Sequence, residues 1–511
     1  MNPILSAGLL GSHLEQRAAA CERFLQRHRF LVLAILTVLY VVLTTLRARG
    51  KPFWYDEILT LLEARQPTLG AALRAGGAAD WMPPLSHVIF YLTDKLLGHG
   101  EVAFRVGPMI GFWVFCLCLF QFVWRRAGVF FALTALLLPF ATLFAAYSFE
   151  ARSYALVLGF CGIALVSWQA AAEGGHRTLA LIALALGIAG ALLNHYWAVF
   201  LYMPLAGAEA WRNYRQRKMD WPVWFALAAG GAPLFVSLFM ILRVVDTNRY
   251  PWSRAYLRDY LHFYLNFWPV IGFLIPLALL LGVWVLLGGR WEKPADSQSP
   301  SFREYEWVAA WLLFLTPVAA VTGALIVPPH IFVDRYLALS TAGFALLLTF
   351  AAARSAGRRA SVGGICAIAA LAPFLFHFTQ IHFRPAGNPF LGADLLQEAL
   401  EKQKGPVVVS NYISFVELWY YAPDDVKPRL LCLDDEKSAV RFRHLDDVAG
   451  ESLRAIGVPF HPYGQFATSG KEFPIYFAGW SWITKKVVAD GGTLQPWFGS
   501  RKGLVYLAHI K

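Results

Sequence analysis

Five short stretches of the chain set acid–base and anion-binding side chains among aromatic residues. They are Phe53-Trp54-Tyr55-Asp56-Glu57, then Asp80-Trp81-Met82-Pro83-Pro84-Leu85, and Tyr147-Ser148-Phe149-Glu150-Ala151-Arg152-Ser153-Tyr154. Asn194-His195-Tyr196-Trp197 and a run from Pro328 through His330, Asp334, Arg335 and Tyr336 to Leu337 complete the set. A carboxylate beside a reacting carbon can take the proton of an attacking hydroxyl or amine. Guanidinium and imidazolium groups can hold a leaving phosphate with neither nucleotide nor metal. Taken singly, each stretch also has a plainer account. Asp56-Glu57 fits a helix N-terminus, Glu150 with Arg152 an interfacial salt bridge, His195 a polar anchor among belt aromatics, and Arg335 a snorkelling end cap. Their placement decides between these accounts, and placement depends on the elements that carry them.

Those elements are membrane helices. The 511 residues are 57% hydrophobic and only 15% charged, against about 25% charged in ordinary soluble domains. A single water-soluble core, a disordered chain and a disulfide scaffold are all excluded by that balance and by the sparse cysteines. At roughly 20 apolar residues per crossing, spans are expected near 30–46, 106–124, 129–147, 153–172, 178–194, 196–211, 221–242, 263–288, 307–328, 336–353 and 361–379. The fold class is therefore an all-α polytopic membrane protein of about eleven helices, give or take two. Arg23, Arg27 and Arg29 before the first span favour a cytoplasmic N-terminus, and the first span reads as a retained anchor. With that orientation the formal charge of +12 divides into +8 on cytoplasmic segments, +3 on outer loops and +1 on the tail. The excess is topological, and nucleic acid is not needed to explain it. The expected location is a bacterial inner membrane.

Threading the spans puts all five polar stretches at the outer ends of helices, where one shared cavity would satisfy them. Residues of about 48–105 form a long first outer loop. Within it, 85–97 is too short to cross and carries Asp94 and Lys95, so an interfacial or re-entrant helix is expected there. The division is 1–382 for the membrane domain and 383–511 for a small extracytoplasmic (periplasmic) α/β domain. Strands are expected there near 406–410, 430–433, 474–478 and 504–510, with helices near 394–403 and 412–421. Cys432 has no partner in that domain, so no disulfide is expected.

No phosphate-binding G-x-x-x-x-G-K-[ST] loop, H-E-x-x-H, C-x-x-C or Asp-x-Asp pair occurs anywhere in the chain, which argues against an ATP-driven pump, a zinc hydrolase or a nucleotide-sugar enzyme. No motif calls for a cofactor; a divalent metal is left open but not indicated. The ordered set of Asp56-Glu57, Asp80 before Pro83-Pro84-Leu85, Gly98 with Arg105-Val106-Gly107-Pro108, Tyr147 to Leu156, His195-Tyr196 and Arg335-Tyr336-Leu337 resembles the GT-C superfamily of membrane glycosyltransferases. The resemblance is to the branch holding protein O-mannosyltransferases, the lipid A aminoarabinose transferase and the rhizobial galacturonosyltransferases. It covers roughly the first 210 residues well and the Arg335 region more loosely.

The resemblance implies transfer of a monosaccharide from a polyprenyl-phosphate donor to a lipid, glycan or protein acceptor on the outer face. It implies Asp56 as catalytic base, Glu57 as its support, and Asp80, Glu150 and Arg152 around the sugar and phosphate. Arg335 would bind the donor phosphate, and Arg105, Tyr154, His195, Tyr196 and Tyr336 would complete the donor and acceptor contacts. Two positions depart from the family pattern: Met82 stands where a histidine is common, and Phe149 where a polar residue is. A transporter or flippase of lipid-linked sugars, and a non-catalytic lipid-binding protein of the same fold, are the alternatives. The first should show repeated halves with broken helices and midplane ions, and no such repeat is present.

Overall fold

The computed structural model describes residues 3–79, 82–235, 238, 254–289, 302–328, 330–357, 359–379, 387–442, 450–468, 470–479, 481–500 and 503–510. The chain divides into two compact units. One comprises Met1–Arg47, Arg105–Leu242 and Ala255–Ile381; the other comprises Ala48–Phe104, Arg243–Arg254 and His382–Lys511. The first outer loop therefore groups with the tail and not with the spans, a partition that hydropathy alone does not reveal.

In the first unit, six described helices are long and apolar enough to cross a membrane: Arg29–Arg49, Val106–Ala127, Tyr154–Glu173, Arg177–Asn194, Asp259–Leu286 and Ala360–His377. Two bent pairs raise the number to eight if each is one span. Val129–Ala141 and Leu143–Phe149 meet at 88°, because Pro139 lies in a 3-10 turn and Thr142 is extended between the two segments. Glu304–Phe314 and Thr316–Ile326 meet at 47°, where Pro317 enters the second helix and supplies no N–H to the first. The expected span at 196–211 is a 3-10 turn, Tyr196–Leu201, running into the helix Tyr202–Gln216. It is helical but falls outside those eight. Of 221–242, the apolar helix Trp221–Phe235 is described, and most of the remainder lies outside the described residues. The expected span at 336–353 is the 17-residue helix Ser340–Ala356, which likewise falls outside those eight. An additional N-terminal helix, Pro3–Arg27, packs on Ala360–His377: Glu15 accepts from the Ala360 N–H at 2.7 Å and the Ser361 N–H at 3.2 Å.

Small residues let these helices approach. A Cβ on Gly159 would stand 2.7 Å from the Gly111 carbonyl oxygen, and one on Gly111 would stand 2.6 Å from that of Ala155. Val106–Ala127 and Tyr154–Glu173 thus pack backbone to backbone, the means of close association where lipid removes the hydrophobic drive. The Gln169 side chain donates to the Phe122 carbonyl at 3.2 Å, so the pairing runs in parallel. Their first residues share one end of the bundle and their last residues share the other. Arg177–Asn194 returns antiparallel, with Gly187 against Ala164 and Gly190 against Phe160.

The far end holds the unit's buried ionic network. Arg126 clasps Glu306 through Nε at 2.9 Å and Nη2 at 2.7 Å, and the Gln169 amide donates to the same carboxylate at 2.8 Å. Arg126 also pairs with Glu173. Nearby, Arg212 pairs with Glu209 at 2.6 Å and with Asp220, which also receives Arg177.

The second unit contains a six-stranded sheet of order β3-β2-β1-β4-β6-β5. β1 (Val407–Val409), β2 (Leu430–Asp434), β3 (Phe460–Pro462) and β4 (Glu472–Phe477) are parallel neighbours, and β5 (Thr493–Ser500) and β6 (Gly503–His509) add antiparallel strands. The parallel strands run as unbroken apolar triplets such as Val407-Val408-Val409, buried on both faces, as sheets covered on both sides require. β3 and β5 lack that signal. Their residues are largely exposed at the sheet edges, and β5 carries Pro496. The expected helices appear as Asp394–Lys402 and Tyr412–Tyr421, and the segment near 85–97 is the helix Pro84–Leu97, opened by Pro83-Pro84. Cys432 is buried.

Candidate active site

In the second unit, the helix Tyr55–Ala64 carries Asp56 and Glu57 in its first turn, where the unpaired N–H groups of a helix start favour negative charge. The two acids play different parts. Glu57 is fully buried; its carboxylate accepts from the Trp54 N–H at 3.4 Å and lies 3.8 Å from Lys51 Nζ. It closes the helix start. Asp56 is only partly buried, so of the pair it is the one with surface to offer a reactant. One helical repeat further on, Glu63 meets His87 at 3.2 Å, both side chains buried. Asp80 lies outside the described residues.

The tail helix Tyr412–Tyr421 holds this helix start in place. The Tyr55 N–H donates to Glu417 Oε1 at 2.9 Å, and the Phe53 N–H donates to the Tyr421 hydroxyl at 2.7 Å. The Tyr55 ring meets that of Tyr412 edge-on at 5.1 Å. Two backbone donors flanking Asp56 are thus satisfied by tail side chains, a positioning role that no motif in the sequence announces.

Burial pushes the Glu417 carboxyl above its ordinary value, and the Tyr55 N–H offsets this only in part. A folded-state value above the unfolded one stabilises below the unfolded value and is lost as pH rises through the folded one. Glu417→Gln keeps an acceptor for Tyr55 and removes the charge. Thermal unfolding should show the variant melting above the parent at pH 8, with the gap closing towards pH 4. A gap that is constant with pH would contradict this.

The first unit gathers the remaining candidates at the end where Val106–Ala127 and Tyr154–Glu173 begin. The Arg335 guanidinium lies 6.0 Å from the Tyr154 ring and 5.8 Å from the Tyr336 ring. Those two rings are 6.0 Å apart, and His195 sits 4.4 Å from Tyr336, 5.9 Å from Tyr154 and 5.1 Å from Tyr196. His195 ends the helix Arg177–Asn194, and its Nδ1 accepts from the Trp197 N–H at 3.2 Å. An accepting Nδ1 leaves the proton of the neutral ring on Nε2. Trp197 closes the cluster at 5.6 Å from Tyr336. Tyr147, on the bent segment, stacks at 4.8 Å on Tyr154 and is within electrostatic reach of Glu150, Asp334 and Arg335. The 88° bend therefore does the work of bringing Tyr147 to this group.

Arg105 is fully buried where the helix Val106–Ala127 starts, and Arg152 and Tyr154 are also buried, whereas Arg335, Tyr336, Tyr196 and Glu150 keep partial exposure. Among these guanidinia, Arg335 and Arg47 are the partly exposed ones. Asp334 and His330 are engaged locally. Asp334 accepts from the Arg335 N–H at 2.7 Å and from Asn266 at 3.2 Å, and His330 Nδ1 contacts the Ala324 carbonyl at 2.9 Å. Arg47 is a participant that the motif search passed over. Its guanidinium lies 4.8 Å over the Phe149 ring, which gives a reason for an aromatic residue at that departure from the family pattern. Among the described residues, no group of three or more His, Cys, Asp or Glu side chains could hold a metal ion.

No family model and no curated protein sequence matches the chain. Solved structures do. The apo crystal structure of ArnT from Cupriavidus metallidurans aligns over 94% of this chain and 98% of its own, with TM-score 0.50 and 16% identity. The same protein bound to undecaprenyl phosphate aligns over the same shares with TM-score 0.45 and 14% identity. The arabinosyltransferase EmbB from Mycobacterium smegmatis aligns over 91% of this chain and 45% of its own, with TM-score 0.36 and 15% identity. At such identity a likeness speaks to fold alone, and the first is nearly end to end: this chain has the fold of the ArnT structure.

Proposed function

We propose that the protein is an inner-membrane glycosyltransferase that takes a monosaccharide from a polyprenyl-phosphate donor and gives it to a lipid, glycan or protein acceptor on the extracytoplasmic face. The observation that carries this is Arg335 about equidistant from the Tyr154 and Tyr336 rings, with His195 against Tyr336, at one end of a bundle of membrane helices with the fold of ArnT. A phosphate at headgroup depth meets a guanidinium and an imidazole there, and neither needs a nucleotide. The acceptor hydroxyl or amine attacks the anomeric carbon, Asp56 takes its proton, and the bond from that carbon to the phosphate oxygen breaks. The phosphate leaves with the bonding electron pair and is stabilised by Arg335 and His195. Displacement in one step inverts the anomeric carbon. Glu57 supports Asp56 within the second unit, and Arg105, Glu150, Arg152 and Tyr196 shape and charge the donor end within the first. The same orientation places the N-terminus in the cytoplasm and the second unit in the periplasm.

Arg335→Ala tests the donor assignment. Removing a charge-assisted partner of a phosphate costs about 1.5–3 kcal/mol, so the affinity for polyprenyl phosphate should fall roughly 10- to 150-fold. Arg335→Lys should recover part of it. Binding measured by fluorescence anisotropy with a labelled polyprenyl phosphate would refute the assignment if the alanine variant bound like the parent.

A further inference from the structure

The second unit contains an open cavity of about 500 Å³ that the donor chemistry does not use. It is built from two of the three sequence segments that make up this unit, the first loop and the tail. Arg65 comes from the first loop, and Trp419, Tyr420 and Tyr421 come from the tail helix, followed by Lys427. Its size falls in the range of small-molecule sites, about 300–1,000 Å³. Its lining pairs flat aromatic faces with cations. The Arg65 guanidinium lies 5.8 Å from the Tyr420 ring. Lys427 pairs with Asp424, whose side chain is 97% exposed, and such surface pairs hold their members weakly. The acid in the lining, Glu101, already receives the Tyr421 hydroxyl at 3.2 Å. His99 stands at the rim, 65% exposed. The cavity thus offers two cations, Arg65 (which also hydrogen-bonds the Tyr420 side chain) and Lys427, and one acid, Glu101, among aromatic walls.

We propose that this cavity binds a saccharide carrying an anionic group, and that it docks the acceptor. The aromatic faces take the apolar face of a sugar ring, and Arg65 and Lys427 take its phosphate or carboxylate. Arg65 caps the same helix that begins with Asp56. Nine residues at 1.5 Å each put the two about 14 Å apart, so an acceptor held here by its anionic group would extend several bonds to reach the base. The docking role rests on the transferase assignment; the binding does not.

Saturation-transfer NMR on the full chain in detergent, with glucose 1-phosphate, glucuronate and glucose as probes, tests it. The acidic sugars should bind at least about tenfold more tightly than glucose, and the stronger of the two tells phosphate from carboxylate. Arg65→Glu and, independently, Lys427→Glu should abolish the preference; Trp419→Ala should weaken all binding, and polyprenyl-phosphate affinity should stay unchanged in all three. Equal binding of glucose, or a preference surviving both charge reversals, would overturn the proposal. Acidic-sugar binding in a protein that transfers nothing would leave the cavity standing and remove the transferase. Transfer by Arg65→Glu at the parent's acceptor KM would remove the docking role and leave the transferase standing.

Discussion

Asp56→Asn should lose transfer by about 10²- to 10⁴-fold in kcat, the usual worth of a positioned general base, while donor affinity stays within about twofold. The substitution is nearly isosteric, and the helix start should survive it. Glu57 closes the turn onto Trp54, and the flanking backbone donors are held by Glu417 and Tyr421. An amide cannot accept the acceptor's proton at neutral pH, so chemistry fails where binding does not. Single-turnover transfer from a polyprenyl-phosphate-linked sugar separates the two. A variant that transfers at the parent's rate would remove Asp56 as the base. One that fails to bind donor would make it a structural residue.

The second large effect is on stability. Glu306→Ala should destabilise the first unit by about 3–5 kcal/mol, the cost of stranding a buried charge. Glu306 is fully buried and is reached by Arg126 through two nitrogens and by the Gln169 amide. It also accepts from the Arg303 N–H at 2.9 Å. Removing it takes from Arg126 the carboxylate it holds through two nitrogens, at the meeting point of three helices. The paired change Arg126→Met with Glu306→Leu should cost much less, because apolar groups of similar volume replace a buried pair nearly neutrally. Thermal unfolding in detergent reads both. A single variant as stable as the parent, or a double variant worse than the single, would contradict this.

Much of the architecture was legible because lipid imposes it. Runs of about 20 apolar residues with few charges admit one solution, and nearly every expected span is found helical. What was not legible has local causes. The 88° bend needs only Pro139 and an extended Thr142 inside an apolar run, and hydropathy counts neither as a break. Strands β3 and β5 sit at sheet edges, where no face is fully buried and the apolar pattern fades. The site divides in the same way. Tyr154, His195, Arg335 and Tyr336 converge as their places at helix ends imply, since alternating spans return every such end to one side. Glu417 and Tyr421 could not be found from the sequence. Their task is to accept backbone N–H groups more than 350 positions away, and such bonds leave no pattern of residue types. Glu57 shows the converse. Adjacent acids look equivalent in a sequence, but a single step of about 100° around the helix separates a buried closing group from a partly exposed one.

The central claim is that a lipid phosphate engages the end of the bundle marked by Arg335 and His195. A photoreactive undecaprenyl phosphate, cross-linked to the full chain in nanodiscs and mapped by mass spectrometry, tests it without knowledge of the sugar or the acceptor. The account predicts labelled peptides around Tyr154, His195 and Arg335, lost in Arg335→Ala. Labelling confined to the opposite end, around Arg126 and Arg212, would contradict it.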